Sequence, residues 1–208
     1  MKRYIQYGCG FSAPPNWINY DASPTLRYER LPLLGKLYTR NKQRFPENVK
    51  YGDIVKGLPE GPDSCDAVYC SHILEHLAYN DFKTALKNTH LILKPGGIFR
   101  GVVPDLKAAV DAYIENYDQL DSPASELMRN TMLGIEDRGK GLRSIMTKLY
   151  GNSKHLWMWD YKSMEYELQK AGFKNIRPCR FGDSTDNNFS FVEEEGRFNV
   201  AAAFECQK

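Results

Sequence analysis

Two short apolar runs near the start of the chain, Tyr4 to Tyr7 and Trp17 to Tyr20, are separated by only nine residues, Gly8 to Asn16. Each has the length and content of a buried, parallel-type strand. Parallel strands are normally joined by a crossover of a dozen or more residues, usually a helix, and nine fall short. Pro14 and Pro15 bias the connecting backbone toward extended polyproline geometry. The stretch YGCGFSAPPNWINYD therefore predicts an irregular loop where a first helix would otherwise stand. It also sets a glycine turn and Asp21 at adjacent strand ends.

The pattern of a strand ending in polar residues recurs along the chain. Val49 to Tyr51 runs into Gly52 and Asp53, Cys65 to Cys70 into Ser71, and Ile98 to Val103 into Pro104 and Asp105. The carboxyl ends of strands are where open α/β sheets bind ligands. Between the fourth and fifth strands, Asp81 starts a helix with Phe82, Ala85, Leu86 and Leu93 near one face, stopped by Lys94, Pro95 and Gly96. Strand, helix and strand at this spacing form a βαβ crossover. Residues from Leu106 to about Lys154 are helical but broken by glycines and Ser122-Pro123, which predicts a helical lid insertion over the sheet's carboxyl edge. Asp160 then caps a helix carrying Met164, Leu168 and Ala171 and ended by Gly172. A strand over Ile176 to Phe181 follows. A last, alternating strand places Phe198, Val200, Ala202, Phe204 and Cys206 on one face.

At 208 residues the expectation is a single domain, residues 1–208, with one elaborated region at about 106–154. A 42% hydrophobic share with 12% aromatics is that of a globular fold. No run approaches the roughly 18 apolar residues of a membrane span, and no signal-peptide core follows Met1, so a cytoplasmic protein is expected. Five scattered cysteines without a Cys-x-x-Cys pair suggest neither a disulfide framework nor a zinc knuckle. Net charge is only +2, yet seven basic residues stand against two acidic ones between Arg27 and Lys50. That segment suits an anionic acceptor or a peripheral contact with acidic lipid headgroups, and no nucleic acid partner is expected.

Gly8-Cys9-Gly10 directly after a strand lets backbone approach a ligand closely. With Ala13 it also meets the degenerate G-x-G-x-x-A fingerprint, a weak match alone. Asp21 at the next strand end can accept hydrogen bonds from both hydroxyls of a ribose, and Asp53 at the third suits an adenine amino group.

The segments YIQYGCG, INYDAS, GDIVKGLPEGPDSCDAVYCSHILEHL, LILKPGGIFRGVVPDL and LQKAGFKNI resemble, in order and spacing, the S-adenosylmethionine-dependent methyltransferases of the class I Rossmann-like fold. More narrowly they look like the type 11 methyltransferases associated with polysaccharide biosynthesis. The resemblance covers residues 4–105 strongly and 155–206 more loosely. It implies an α/β sandwich around a mostly parallel seven-stranded sheet with an antiparallel last strand. It places Gly8, Cys9 and Gly10 beside the methionine and ribose parts of S-adenosylmethionine, Asp21 on the ribose hydroxyls, Asp53 and Ile54 at the adenine, and Ser71 with His72 beneath the sulfonium. Two positions depart from the family pattern: Gln6 stands where an acid is usual, and Ser12 where a third glycine is usual. They leave the methionine amino group to a water or to His72.

HILEH, residues 72–76, also matches H-x-x-E-H, in which two histidines bind zinc and the glutamate is the general base. A zinc hydrolase needs a further ligand, and the motif sits within segments that carry the methyltransferase resemblance, so no metal or zinc is expected. In HLWMWD, residues 155–160, an aromatic cluster reads either as core or as an acceptor pocket in which aromatic faces stack on a sugar. Methyl transfer to an alcohol gains from proton removal, and His72, Asp105 and His155 are the base candidates. The chain lacks the Asn/Asp-Pro-Pro-Tyr element of amine methylators, which favours oxygen. The expected activity is O-methylation of a sugar, nucleotide sugar or glycan intermediate, with S-adenosylhomocysteine as co-product. The alternatives are a zinc hydrolase and a non-catalytic Rossmann-like binding module. With no first helix, the Leu26 to Phe45 segment and the lid are expected to supply the missing wall.

Overall fold

The computed structural model describes residues 2–32, 35, 43–136 and 154–208. Seven strands form one sheet: β1 (Tyr4–Tyr7), β2 (Ile18–Asp21), β3 (Val49–Tyr51), β4 (Cys65–Ser71), β5 (Leu93–Pro104), β6 (Lys174–Pro178) and β7 (Ala201–Gln207). Their order is β3-β2-β1-β4-β5-β7-β6. β3 through β5 run parallel, and β7 is antiparallel to both its neighbours. The five described α-helices are α1 (Pro24–Glu29), α2 (Tyr79–Ile92), α3 (Leu106–Glu115), α4 (Pro123–Asn130) and α5 (Tyr161–Lys170). None of them is long and apolar enough to cross a membrane.

The two faces of the sheet follow from strand alternation. Ile5, Val68, Phe99 and Phe204 point to one side, where they pack with Phe82, Ala85 and Leu86 of α2 and Met164 and Leu168 of α5. Tyr4, Ala67, Tyr69, Val102 and Ala203 point to the other, where no α-helix among the described residues contributes to the core; Trp17, Phe189 and Val192 close it instead. Phe189 lies in a 3-10 turn, Asn187–Phe191, of the long β6–β7 connection.

Between β1 and β2 there are turns and no helix, in line with the nine-residue gap. Gln6 and Asn19, both buried, hold this loop: Gln6 Nε2 donates to the Ser12 carbonyl at 2.8 Å and to Asn19 Oδ1 at 2.6 Å. Asn19 Nδ2 in turn donates to the carbonyls of Pro14 and Trp17. Irregular backbone leaves its polar groups unpaired unless side chains meet them, and that is the work of the amide standing where the family pattern has an acid.

The expected wall is described in part. Leu26 and Phe45 do form a small cluster with Cys9 and Val49, and Phe11 stacks on Phe45 at 4.9 Å. The sheet face beneath the missing helix, however, is covered by the β6–β7 connection, with Trp17 Nε1 donating to the Asn188 carbonyl at 3.1 Å. Lys36, Arg40 and Lys42 of the basic segment, and residues 137–153 of the expected lid, lie outside the described residues.

Boundaries move at the carboxyl end. The sixth strand ends at Pro178, short of the expected Phe181, and the last begins only at Ala201. Val200 sits at φ +50° and is 72% exposed, so the alternation does not reach back to Phe198; a β-branched residue at positive φ breaks the extended chain. α2 begins at Tyr79, which sets Asp81 in its first turn, and Leu93 is the first residue of β5. Asp160 caps α5 as expected, accepting from Ser163 N at 2.7 Å.

Candidate functional site

A cleft of about 730 Å³ opens at the carboxyl ends of β1 to β4, lined among others by Gly8, Asp21, Asp53, Ile54 and His72. Five of the positions named from sequence thus meet on one cavity, whose size is that of small-molecule sites. Arg27, Tyr51 and Lys56 line it as well, with Arg27 5.0 Å over the Tyr51 ring. Arg27 belongs to the basic segment read as suited to an anionic acceptor, whereas no sequence spacing points to Tyr51 or Lys56.

The glycine turn is fixed by contact. Gly8 has φ +66°, and a Cβ there would fall 2.1 Å from Ile73 Cδ1. Gly10 N donates to Asp21 Oδ2 at 2.9 Å, while Asp21 Oδ1 accepts from Ser23 N at 2.7 Å. Each carboxylate oxygen keeps a further acceptor site, so Asp21 can tie the turn and still meet two hydroxyls. Asp53 accepts from Val55 N at 3.0 Å and pairs with Lys56 at 3.2 Å. The Cys9 side chain turns away into the Leu26 and Phe45 cluster, and burial pushes its thiol up to about 12. Cys9 therefore offers backbone rather than a nucleophile.

A second, small cavity of about 30 Å³ adjoins the glycine turn, lined by Gln6, Ser12, Tyr69, Ser71, Glu194 and Arg197 among others. Tyr69 OH and Ser71 Oγ are buried there without hydrogen-bond partners. Orphaned polar atoms beside a glycine turn fit the polar end of a bound ligand. Glu194 and Arg197 arrive from the β6–β7 connection, far from the turn in sequence, and no local signal marks them.

The three base candidates separate. Asp105 caps α3, accepting from Lys107 N at 2.9 Å, and lines a different groove between α3 and α4; it does not face the cleft. His72 lines the cleft at φ +54°, with Nε2 3.0 Å from the Arg197 carbonyl and Nδ1 3.6 Å from Glu75 Oε1. His155 has Nδ1 2.8 Å from the Thr131 carbonyl and Nε2 3.9 Å from the same Glu75 oxygen. Burial lowers both imidazoles below the ordinary histidine range and pushes the Glu75 carboxyl up to about 8. His76 completes the group, with Nδ1 2.9 Å from the Lys154 carbonyl and Nε2 3.8 Å from Glu75 Oε1. HILEH and HLWMWD, separate in sequence, are thus one cluster.

The aromatic residues divide. Trp159 is core, 4.0 Å from Phe82, whereas Trp157 is half-exposed and stacks on Tyr79 at 4.7 Å.

A family model described as a methyltransferase domain matches residues 3–177. A SAM-dependent methyltransferase from Thermotoga maritima is 16% identical over 100% of this chain and 83% of its own, with TM-score 0.52. A methyltransferase solved with the Trm112 activator of Haloferax volcanii is 14% identical over 99% and 82%, with TM-score 0.50. PigF solved with SAH is 13% identical over 100% and 50%, with TM-score 0.51. No curated protein matches the chain in sequence. The likenesses bear on the fold, which is that of the class I SAM-dependent methyltransferases.

Proposed function

This chain is an enzyme of the methyltransferase-domain family, and from that premise we propose that it transfers a methyl group from S-adenosylmethionine to a hydroxyl of a sugar, nucleotide sugar or glycan intermediate. The observation that carries the reading is the convergence of Gly8, Asp21, Asp53, Ile54 and His72 on one cleft at the strand ends. When bound, S-adenosylmethionine supplies a sulfonium-activated methyl group. Asp21 accepts from the ribose hydroxyls, Asp53 and Ile54 hold the adenine, and the Gly8 to Gly10 backbone with Ser71 lies along the amino-acid end. Alignment and exclusion of water provide most of the rate, since an oriented pair gains about 7–11 kcal/mol. Of the base candidates only His72 lines the cleft. Arg27 and Lys56 on the same wall support an anionic acceptor, and the association with polysaccharide biosynthesis and a cytoplasmic location extend this reading.

Calorimetric titration with S-adenosylhomocysteine tests it. Wild type binds one equivalent, and Asp21→Ala and Asp21→Asn each weaken binding about tenfold or more, the worth of a charge-assisted hydrogen bond. No binding to the folded wild type overturns the reading. Binding without methyl transfer to any hydroxylated sugar or nucleotide sugar identifies a non-catalytic module instead.

A further inference from the structure

Three of the chain's four histidines surround the one carboxylate of Glu75, which is fully buried. Each ring has one nitrogen on a backbone carbonyl, of Arg197, Lys154 or Thr131. A carbonyl only accepts, so each of those nitrogens carries the proton. In the neutral ring the nitrogen turned to Glu75 is then a bare lone pair. Neither Glu75 oxygen has a hydrogen-bond partner. Three imidazole nitrogens and the Glu75 carboxyl thus converge with no hydrogen bond between ring and carboxyl.

The separations of 3.6, 3.8 and 3.9 Å are longer than a hydrogen bond, so no shared proton bridges a pair. A trapped water brings only two protons to this set of acceptors. A metal ion with bonds of about 2.1 Å sets tetrahedral ligand-to-ligand edges of about 3.4 Å, a few tenths of an ångström inside the 3.8 and 3.9 Å that separate Glu75 from His76 and His155. The ligand atoms of Glu75, His76 and His155 all lie within 4.8 Å of one another.

We propose that Glu75, His76 and His155 bind a divalent first-row transition metal, with His72 beside it on the wall of the cleft. Two imidazoles and one carboxylate suit zinc, iron(II), cobalt(II) or manganese(II). The backbone carbonyls on the far nitrogens are the outer support that fixes tautomer and ring orientation at such centres. The fold builds the site deliberately: Leu156 N and Trp157 N both donate to the Glu75 carbonyl, at 2.7 and 3.1 Å, which fastens the His155 segment to the Leu74–His76 turn. His155 is therefore the further ligand that HILEH lacks on sequence alone. Three protein ligands leave coordination open to an oxygen ligand, and His76 and His72 reach the cleft surface. The site stands on these side chains; its role rests on the methyl-transfer reading. In that role the acceptor hydroxyl oxygen binds the metal and releases its proton to solvent. Its lone pair then forms the C–O bond, while the pair of the broken C–S bond stays on sulfur.

The test is titration of the chelator-stripped full chain with Zn²⁺ by calorimetry and with Co²⁺ by visible absorption. One ion per chain is expected, with cobalt d–d bands. Binding should fall roughly tenfold or more in Glu75→Gln and in His155→Ala and stay unchanged in His90→Ala, the remaining histidine. A folded wild type that takes up neither ion overturns the proposal. So does equal binding by wild type and a His76→Ala/His155→Ala double variant. S-adenosylhomocysteine titration of the same samples separates the two readings: cofactor binding without metal uptake overturns the metal site alone, and metal uptake without cofactor binding overturns the methyl-transfer reading alone.

Discussion

The two faces of the sheet are covered by different means. On one, α2 and α5 lay apolar stripes over Ile5, Val68, Phe99 and Phe204. On the other, the chain has turns instead of helices and buries polar side chains with the aromatic ones. Arg100, with no exposed surface, pairs with Glu193, with Glu205 at 3.0 Å and with Asp183 at 3.0 Å, and donates to the Arg180 carbonyl at 2.6 Å. Gln6 and Asn19 do the same for the loop between β1 and β2. A helix satisfies its own backbone and needs only an apolar stripe to dock. Irregular chain has to be given partners, and here the sheet provides them.

The largest expected effect tests this contrast directly. Arg100→Met leaves Glu193 buried without its cation, while Glu205 keeps Arg177 at 2.7 Å, and should cost about 3–5 kcal/mol, whereas Leu86→Ala on the helical face should cost about 2–5 kcal/mol through its cavity. Urea unfolding of both variants gives the values. Adding Glu193→Gln should recover part of the Arg100→Met loss; no recovery would mean that the charges on that face are not coupled. Next in size, Gln6→Ala strips the Ser12 carbonyl and Asn19 of a donor and should cost about 1–3 kcal/mol, with faster proteolytic nicking within residues 8–17. A variant as stable and as resistant as wild type would show that the loop holds without its amide.

The smallest effect concerns acid. Burial opposes ionisation of Asp186, but hydrogen bonds from Asn188, Tyr4 and Lys2 prevail and hold its carboxyl at about 2, below the ordinary 3.8. A depressed carboxylate contributes stability that is fully present above its ordinary value and is lost as pH falls toward 2. Asp186→Asn should therefore flatten the fall in stability between pH 4 and pH 2 and leave the helical face unaffected. An unchanged acid limb in the variant would place that sensitivity elsewhere.

How much was legible follows the same division. β1 and β3 fall on the expected residues, α5 begins at the expected cap, and the loop after Tyr7 has no helix, because strand alternation, capping and crossover length are local properties. Gly8, Asp21 and Asp53 were legible as strand-end chemistry, Ile54 and His72 through the family resemblance, and all five line one cleft. Asp105, a strand-end acid that also starts a helix, reads equally as an N-cap, and it caps α3 and lines the groove between α3 and α4. The cover of the second face comes from the β6–β7 connection at the far end of the chain, and no local signal pointed to it.

The sequence by itself determined the strands, the two core helices, the short first connection and the glycine turn, since each depends on neighbours within a few positions. Only the tertiary structure decided that Arg100 meets Glu193, 93 positions away, and that His76 meets the Lys154 carbonyl, 78 positions away. Such pairs depend on strand register and on the paths of the connections between elements, and no spacing along the chain encodes either. The gathering of His155 with Glu75 and His76 is of this second kind.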